Sequence, residues 1–378
     1  MEIDYARLLD ELRLCLRTGE PPSKPSLIFV DRIEEAKTIL DDIESVLRVG
    51  RGMARVIIGD AGFGKTTLLR YIRERIFEKR EDALFSYVEL RSMSDVKPSQ
   101  LGQHLYANII ENLEDREGRS GKELLTHISN VLFEKFATTF EKLEFRITKK
   151  IGRKLKDRFR KISGYKPTLL ALSLLIVDDL NPTLYDYITL ARGLEPDEAK
   201  EISTKLGERI IWKIPEGNIS DSLIAIISAA KYAGYNITII AIDELEMLTG
   251  WHKNWIARFL PKLTALLMTC STTPCYMLVA STPEFWGRLS EREGEGLYPF
   301  LFQRLNPNRI GPLTALEPRD VLALASRIYK MYEKVYGATA LHGIDLDALV
   351  KEIYSSSRGH PRDTVQQIIN KLDEKIIA

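Results

Sequence analysis

The stretch "IIGDAGFGKTTLLRYI", residues 57–72, sets three glycines, a lysine and two threonines between an apolar run and a helical pattern. Upstream, Arg55-Val56-Ile57-Ile58 is the β-branched kind of run that makes a buried parallel strand, and downstream Leu68, Leu69 and Ile72 recur at helical spacing. The glycines therefore form a loop between strand and helix. From Gly59 to Thr66 the spacing is G-x-x-x-x-G-K-T. Glycines let backbone N–H groups turn inward around phosphate oxygens, Lys65 neutralises β and γ charges, and the Thr66 hydroxyl can hold Mg²⁺. An ordinary glycine turn would explain the loop but not the lysine and hydroxyl behind it. The expected ligands are a nucleotide's phosphates and Mg²⁺, held by Gly59, Asp60, Ala61, Gly62, Phe63, Gly64, Lys65, Thr66 and Thr67.

At 378 residues the chain is long enough for two or three domains. A formal net charge of +1 argues against a uniformly basic nucleic-acid coat but leaves room for a local patch. Cys15, Cys270 and Cys275 contain no C-x-x-C pair and fit neither a disulfide framework nor a zinc site, so a reducing, cytoplasmic compartment is expected. The segment "MEIDYARLLDELRLCLRTGE" is charged throughout and reads as a short amphipathic helix rather than an export signal. The apolar stretch "LLALSLLIV" at 169–177 is too short to span a bilayer, and no membrane association is expected.

Along the chain, a proline-rich link "GEPPSKPS" precedes a brief extended segment and a helix that Gly50 and Gly52 end. Beyond the glycine loop and its helix, "LFSYVELRS" at 84–92 reads as a second strand, giving a βαβ unit. The next strong strand, in "NITIIAIDELEML" at 236–248, comes after a long, mostly helical tract that no ordinary crossover explains. An inserted helical subdomain is expected there. The resulting division is 1–114 (amino-terminal helix and first part of the core), 115–222 (helical insertion), 223–314 (second part of the core) and 315–378 (helical lid).

Asp243 and Glu244 end the apolar run Ile237 to Ile242, and the carboxyl ends of parallel strands border the ligand crevice. Asp243 would hold Mg²⁺ through its water shell, and Glu244 would polarise the attacking water. A D-E pair can also simply cap a following helix. In "CYMLVASTPEF" a further strand ends on Ser281 and Thr282, whose hydroxyls could reach a γ-phosphate or serve as helix caps before the proline. The remainder, through "RLNPNRIGPL" and "SSRGHPR", reads as an edge strand followed by lid helices.

In order, these pieces resemble the AAA+ class of phosphate-loop ATPases, near its initiator and STAND-like branches. The fold implied is α/β: an AAA+ type parallel sheet with phosphate loop, long helical insertion and C-terminal helical lid. By that resemblance "FVDRIEEAKTIL" stands where an entry box packs over adenine, implicating Asp31 and Arg32, although Asp31 replaces the usual glycine. Thr282 would be the first sensor, Arg304 the arginine finger and Arg362 in "GHPR" the second sensor; each arginine offers a planar fork suited to phosphate oxygens. More narrowly, "GDAGFGKTTLLRYI", "YVELRS", "LARGLEPDEA", "AAKYAGYNITIIAIDELEML" and "STPEFW" with "GLYPFLFQRL" resemble the ATP-binding proteins of BREX-type phage-exclusion systems and their archaeal relatives, often encoded beside a large helicase.

Inside the insertion, "FRITKKIGRKLKDRFRKISGYK" carries ten Lys or Arg against one Asp, with Phe145, Phe159 and Tyr165 interleaved. Lys149, Lys150, Arg153, Lys154, Arg158 and Arg160 are the candidate DNA-phosphate contacts, against a solvated face or an acidic partner's dock. The expectation is a DNA-associated ATPase with Glu244, Lys65, Arg304 and Thr282 in catalysis, acting in DNA transactions or phage defence. Its partners would be DNA, a large helicase and further copies of itself. The alternative is a STAND-like signalling switch that clamps a protein partner without binding DNA.

Overall fold

The computed structural model describes residues 4–18, 21–93, 96, 100–136, 166–173, 175, 181–189, 194–206, 214–250, 253–290, 301, 303 and 305–377. Six strands form one sheet: β1 (Met53–Ile58), β2 (Ala83–Glu89), β3 (Leu113–Glu114), β4 (Ile237–Asp243), β5 (Cys275–Ser281) and β6 (Arg309–Ile310). Their spatial order is β3-β2-β4-β5-β1-β6, parallel throughout except for β3 at one edge. All seven residues of β4 and all seven of β5 are buried. Near-continuous apolar strands of this kind need cover on both faces, and helices supply it.

The period-two alternation of the strands divides their side chains between two cores. Ile57, Ile239, Ala241, Tyr276, Leu278 and Ala280 point to one face, which is closed by α2 (Ile33–Val49) and α3 (Lys65–Lys79) through Ile39, Ile43, Leu68, Leu69 and Ile72. Val56, Ile58, Ile240, Ile242, Met277 and Val279 point to the other. That face is closed by α4 (Leu101–Glu111), α5 (Gly121–Phe136), α6 (Lys166–Ser173), α7 (Asn181–Ile188), α8 (Pro196–Leu206), α9 (Ile219–Ala233) and α10 (Lys253–Cys270). Between β3 and β4, every regular element among the described residues is helical, and these helices share the core of the sheet face they cover. After β5 comes α11 (Pro283–Ser290).

A third core belongs to α12 (Pro318–Tyr336), α13 (Leu346–Ser357) and α14 (Pro361–Ile377). The amphipathic helix α1 (Tyr5–Thr18) joins them, burying Leu9 and Leu12 against the C-terminal helices. Arg13 forks onto Asp373, whose Oδ1 also accepts the Tyr332 hydroxyl at 2.6 Å. The segment between α1 and α2 straps this unit to α3. Ser26 donates through its amide and hydroxyl to Glu74, Phe29 stacks on Tyr71 at 3.8 Å, and Arg327 of α12 donates to the Phe29 carbonyl at 2.6 Å.

Two glycines test this packing in opposite directions. A Cβ on Gly52 would lie 1.8 Å from the Cys270 carbonyl oxygen and 2.4 Å from that of Cys275, both backbone atoms that cannot swing aside. Gly287, within α11, has nothing within 4 Å of such a Cβ. In urea denaturation Gly52→Ala is expected to lose about 1–3 kcal/mol, and Gly287→Ala to gain up to about 1 kcal/mol. Equal effects would contradict the close approach at Gly52.

Candidate functional site

The loop of residues 59–64 leaves the carboxyl end of β1 and delivers Lys65 as the first residue of α3. It turns tightly because Gly62 and Gly64 adopt φ of +82° and +85°, a region costly for side-chain-bearing residues. Gly59 N donates to Ser281 O at 3.1 Å, and Phe63 N to Asp60 O at 3.2 Å. The loop runs directly into the N-terminus of α3, an end of a helix that favours negative charge.

Thr66 Oγ1 donates to Asp243 Oδ2 at 2.6 Å, which joins the start of α3 to the end of β4. Asp243 is 1% exposed, so its carboxylate needs partners. The Glu244 amide donates to Asp243 Oδ1 at 2.8 Å, and the Tyr87 hydroxyl to Asp243 Oδ2 at 2.9 Å. The same hydroxyl lies 3.0 Å from Glu89 Oε1, and the β2–β4 register sets Glu89 beside Asp243. Burial first, then the Asp243 charge, push the Tyr87 pKa far up and keep its proton in place. One phenolic proton serves only one of the two carboxylates at a time.

Glu244 has φ of +60°, the left-handed region where a non-glycine residue is strained by about 1–3 kcal/mol. Its Oε2 is buried without a hydrogen-bond partner, with Arg91 Nε 3.7 Å away. Burial raises its carboxyl above the ordinary glutamate value and the Arg91 charge opposes the rise. Lys65, 7% exposed, donates to the carbonyls of Gly59 at 2.7 Å and Asp60 at 3.2 Å, and meets Glu246 Oε1 at 3.3 Å.

Thr282 follows β5, the strand between β1 and β4, so it stands between the loop and Asp243. Its hydroxyl accepts the Phe285 amide at 3.4 Å, a capping contact at the start of α11. Arg32, with φ of +63°, precedes α2; its guanidinium donates to the Thr314 carbonyl and its Nε lies 3.1 Å from Asp31 Oδ2. Burial raises the Asp31 carboxyl, and the Arg32 charge works against that.

Arg362 sits in the first turn of α14, its Cβ 3.6 Å from where a Cβ on Gly62 would stand. The neighbouring His360 touches the loop itself. Its Nε2 lies 3.3 Å from the Ala61 carbonyl, which places the proton on that nitrogen, and its ring meets Phe63 edge-on at 5.0 Å. Arg304 and the cationic set Lys149, Lys150, Arg153, Lys154, Arg158 and Arg160 lie outside the described residues.

The structure thus sets the loop, Lys65, Thr66, Asp243 and Glu244 together at the carboxyl ends of β1 and β4, with Arg32 and Arg362 on the side toward the C-terminal helices. Sequence reasoning missed Tyr87, Glu89, Arg91, Glu246 and His360. For Tyr87 and Glu89 a signal existed in "YVELRS", two residues apart on one strand face, but only the β2–β4 register shows which acid they meet.

Among the described residues no group of three or more His, Cys, Asp or Glu converges as a ready-made metal cage. A hydroxyl and one carboxylate 2.6 Å apart do suit Mg²⁺, which takes one or two carboxylates and keeps its remaining places for water and phosphate. No helix among the described residues is long and apolar enough to cross a membrane.

No curated protein matches the chain. A family model described as "BREX system ATP-binding protein BrxC/D" matches residues 10–375, which takes in both the glycine-rich loop and the C-terminal helices that touch it. The chain belongs to this family of BREX system ATP-binding proteins.

Proposed function

We propose that the chain is an AAA+-type phosphate-loop ATPase that hydrolyses ATP with Mg²⁺ and serves phage defence on DNA. The observation that carries this reading is the 2.6 Å contact between Thr66 and Asp243, because it pairs the residue after the loop lysine with the acid at the end of β4, the parallel strand one removed from β1. Loop amides and Lys65 bind the phosphates, Thr66 and Asp243 hold the ion, and Glu244 accepts the proton of the attacking water. Mg²⁺, held by Thr66 and Asp243, would supply positive charge against the phosphates. Arg32 and Arg362 bracket the nucleotide from the side of the C-terminal helices, and Thr282 orients the γ-phosphate or water. Arg304 supplies the finger from a neighbouring protomer in a homo-oligomer.

The DNA part of the reading rests on the basic window at 145–166, and the proposed partner, a large helicase-type protein, rests on the sequence resemblance alone. Binding through successive phosphates releases counterions, so it weakens steeply with salt. Replacing Lys149, Lys150, Arg153, Lys154, Arg158 and Arg160 by glutamate is expected to abolish duplex binding in gel-shift titrations while ATP binding survives. Undiminished DNA affinity would overturn this part.

Glu244→Gln is expected to bind ATP as the parent does and to lose about 10²–10⁴-fold in kcat; full turnover would refute the assignment. The pH profile gives an independent check. A general base works deprotonated, so turnover falls as pH drops through its pKa, here raised by burial. Arg91 opposes that rise, so Arg91→Gln should move the acid limb of kcat to higher pH. A limb that stays or moves down would remove Glu244 from the role.

A further inference from the structure

Lys65 is the cation on which phosphate binding depends under the reading just given, and in this structure its charge is already engaged. Three oxygens surround Nζ: the carbonyls of Gly59 and Asp60, and Oε1 of Glu246 at 3.3 Å. Only Glu246 brings a full negative charge. It reaches Lys65 because the chain leaves β4 through the left-handed Glu244 and coils at once into a 3₁₀ turn over Leu245–Gly250, which brings residue 246 back over the loop. An extended continuation of β4 would have carried it away.

The other carboxylate oxygen, Glu246 Oε2, is buried and has no hydrogen-bond partner. The ion pair therefore holds a carboxylate with one buried, unpartnered oxygen, and Lys65 is its one ion-pair partner among the described residues. Removing Lys65 from Glu246 is costly for the acid, since it leaves a carboxylate only 22% exposed without its ion-pair partner.

We infer that Glu246 is a positioning residue that competes with the nucleotide's phosphates for Lys65 and so sets nucleotide affinity. The carboxylate and the loop carbonyls together hold the ammonium against its own loop. An incoming di- or triphosphate must displace the carboxylate. The apparent dissociation constant is then the intrinsic one divided by the fraction of molecules in which Lys65 is released. The inference rests on the ATP reading but makes a claim of its own, that part of the site's affinity is withheld.

The test is calorimetric titration of the full chain with ADP and with ATP in EDTA, which excludes turnover. Glu246→Gln keeps the shape and removes the charge, and is expected to bind both nucleotides about tenfold more tightly. Glu246→Asp, which keeps the charge on a shorter arm, should fall between the two. In a Lys65→Ala background Glu246→Gln should change nothing, because the competition has lost its object. A merely structural role would instead weaken binding and lower the thermal midpoint together, in either background. Unchanged or weaker affinity in a Glu246→Gln protein with a parental midpoint overturns the inference and leaves the ATP reading standing. Failure of both parent and variant to bind either nucleotide overturns the ATP reading, and the inference with it.

Discussion

The hydrogen bond from Thr66 to Asp243 is the contact on which the site depends, because it spans three strands of the sheet. Thr66 belongs to the helix after β1 and Asp243 to the end of β4, with β5 lying between them. Asp243 is almost wholly buried, and a buried carboxylate is tolerable only when its oxygens are occupied. Thr66, Tyr87 and the Glu244 amide occupy them. Each donor comes from a different element: α3, β2 and the turn after β4. Fixing one carboxylate therefore fixes the relative position of the loop, the acid pair and the neighbouring strand.

That arrangement follows from the sheet. Strands buried on both faces have no room for charge along their length, so polar residues collect at their carboxyl ends, where the loops open to solvent. Glu89, Asp243 and Ser281 are the last residues of β2, β4 and β5. The C-terminal helices close the other side. His360 and Arg362 stand against the loop, and a Cβ on Gly62 would lie 2.6 Å from His360 Cε1. The loop and the start of α14 are therefore in direct contact at that point.

Short apolar and β-branched runs located β1, β2, β4 and β5 to within a few positions, and the glycine spacing located the loop, because both are properties of contiguous sequence. Asp243 and Glu244 were legible for the same reason: two acids directly after an apolar strand. The partner of α1 was not. A stripe of Leu9 and Leu12 says that one face is buried but not that it meets α12 and α14, more than 300 residues away. Glu246 was equally hidden, since its approach to Lys65 depends on the left-handed backbone at Glu244, which no propensity favours. His360 was hidden because a histidine in "GHPR" reaches Ala61 only through the packing of the C-terminal helices.

A family of ATP-binding proteins, and a glycine-rich loop and an acid pair set together at the carboxyl ends of β1 and β4, make the central claim specific: the backbone amides of the loop and first turn of α3 are the phosphate ligands. Amide hydrogen exchange across residues 59–67, measured with and without Mg²⁺ and ATP, tests it most directly. Occupied amides should exchange markedly more slowly over Gly62 to Thr66 when nucleotide is present, while the remote β3 edge at Leu113–Glu114 keeps its rate. Exchange at Gly62 to Thr66 that is unchanged by saturating nucleotide would contradict the account.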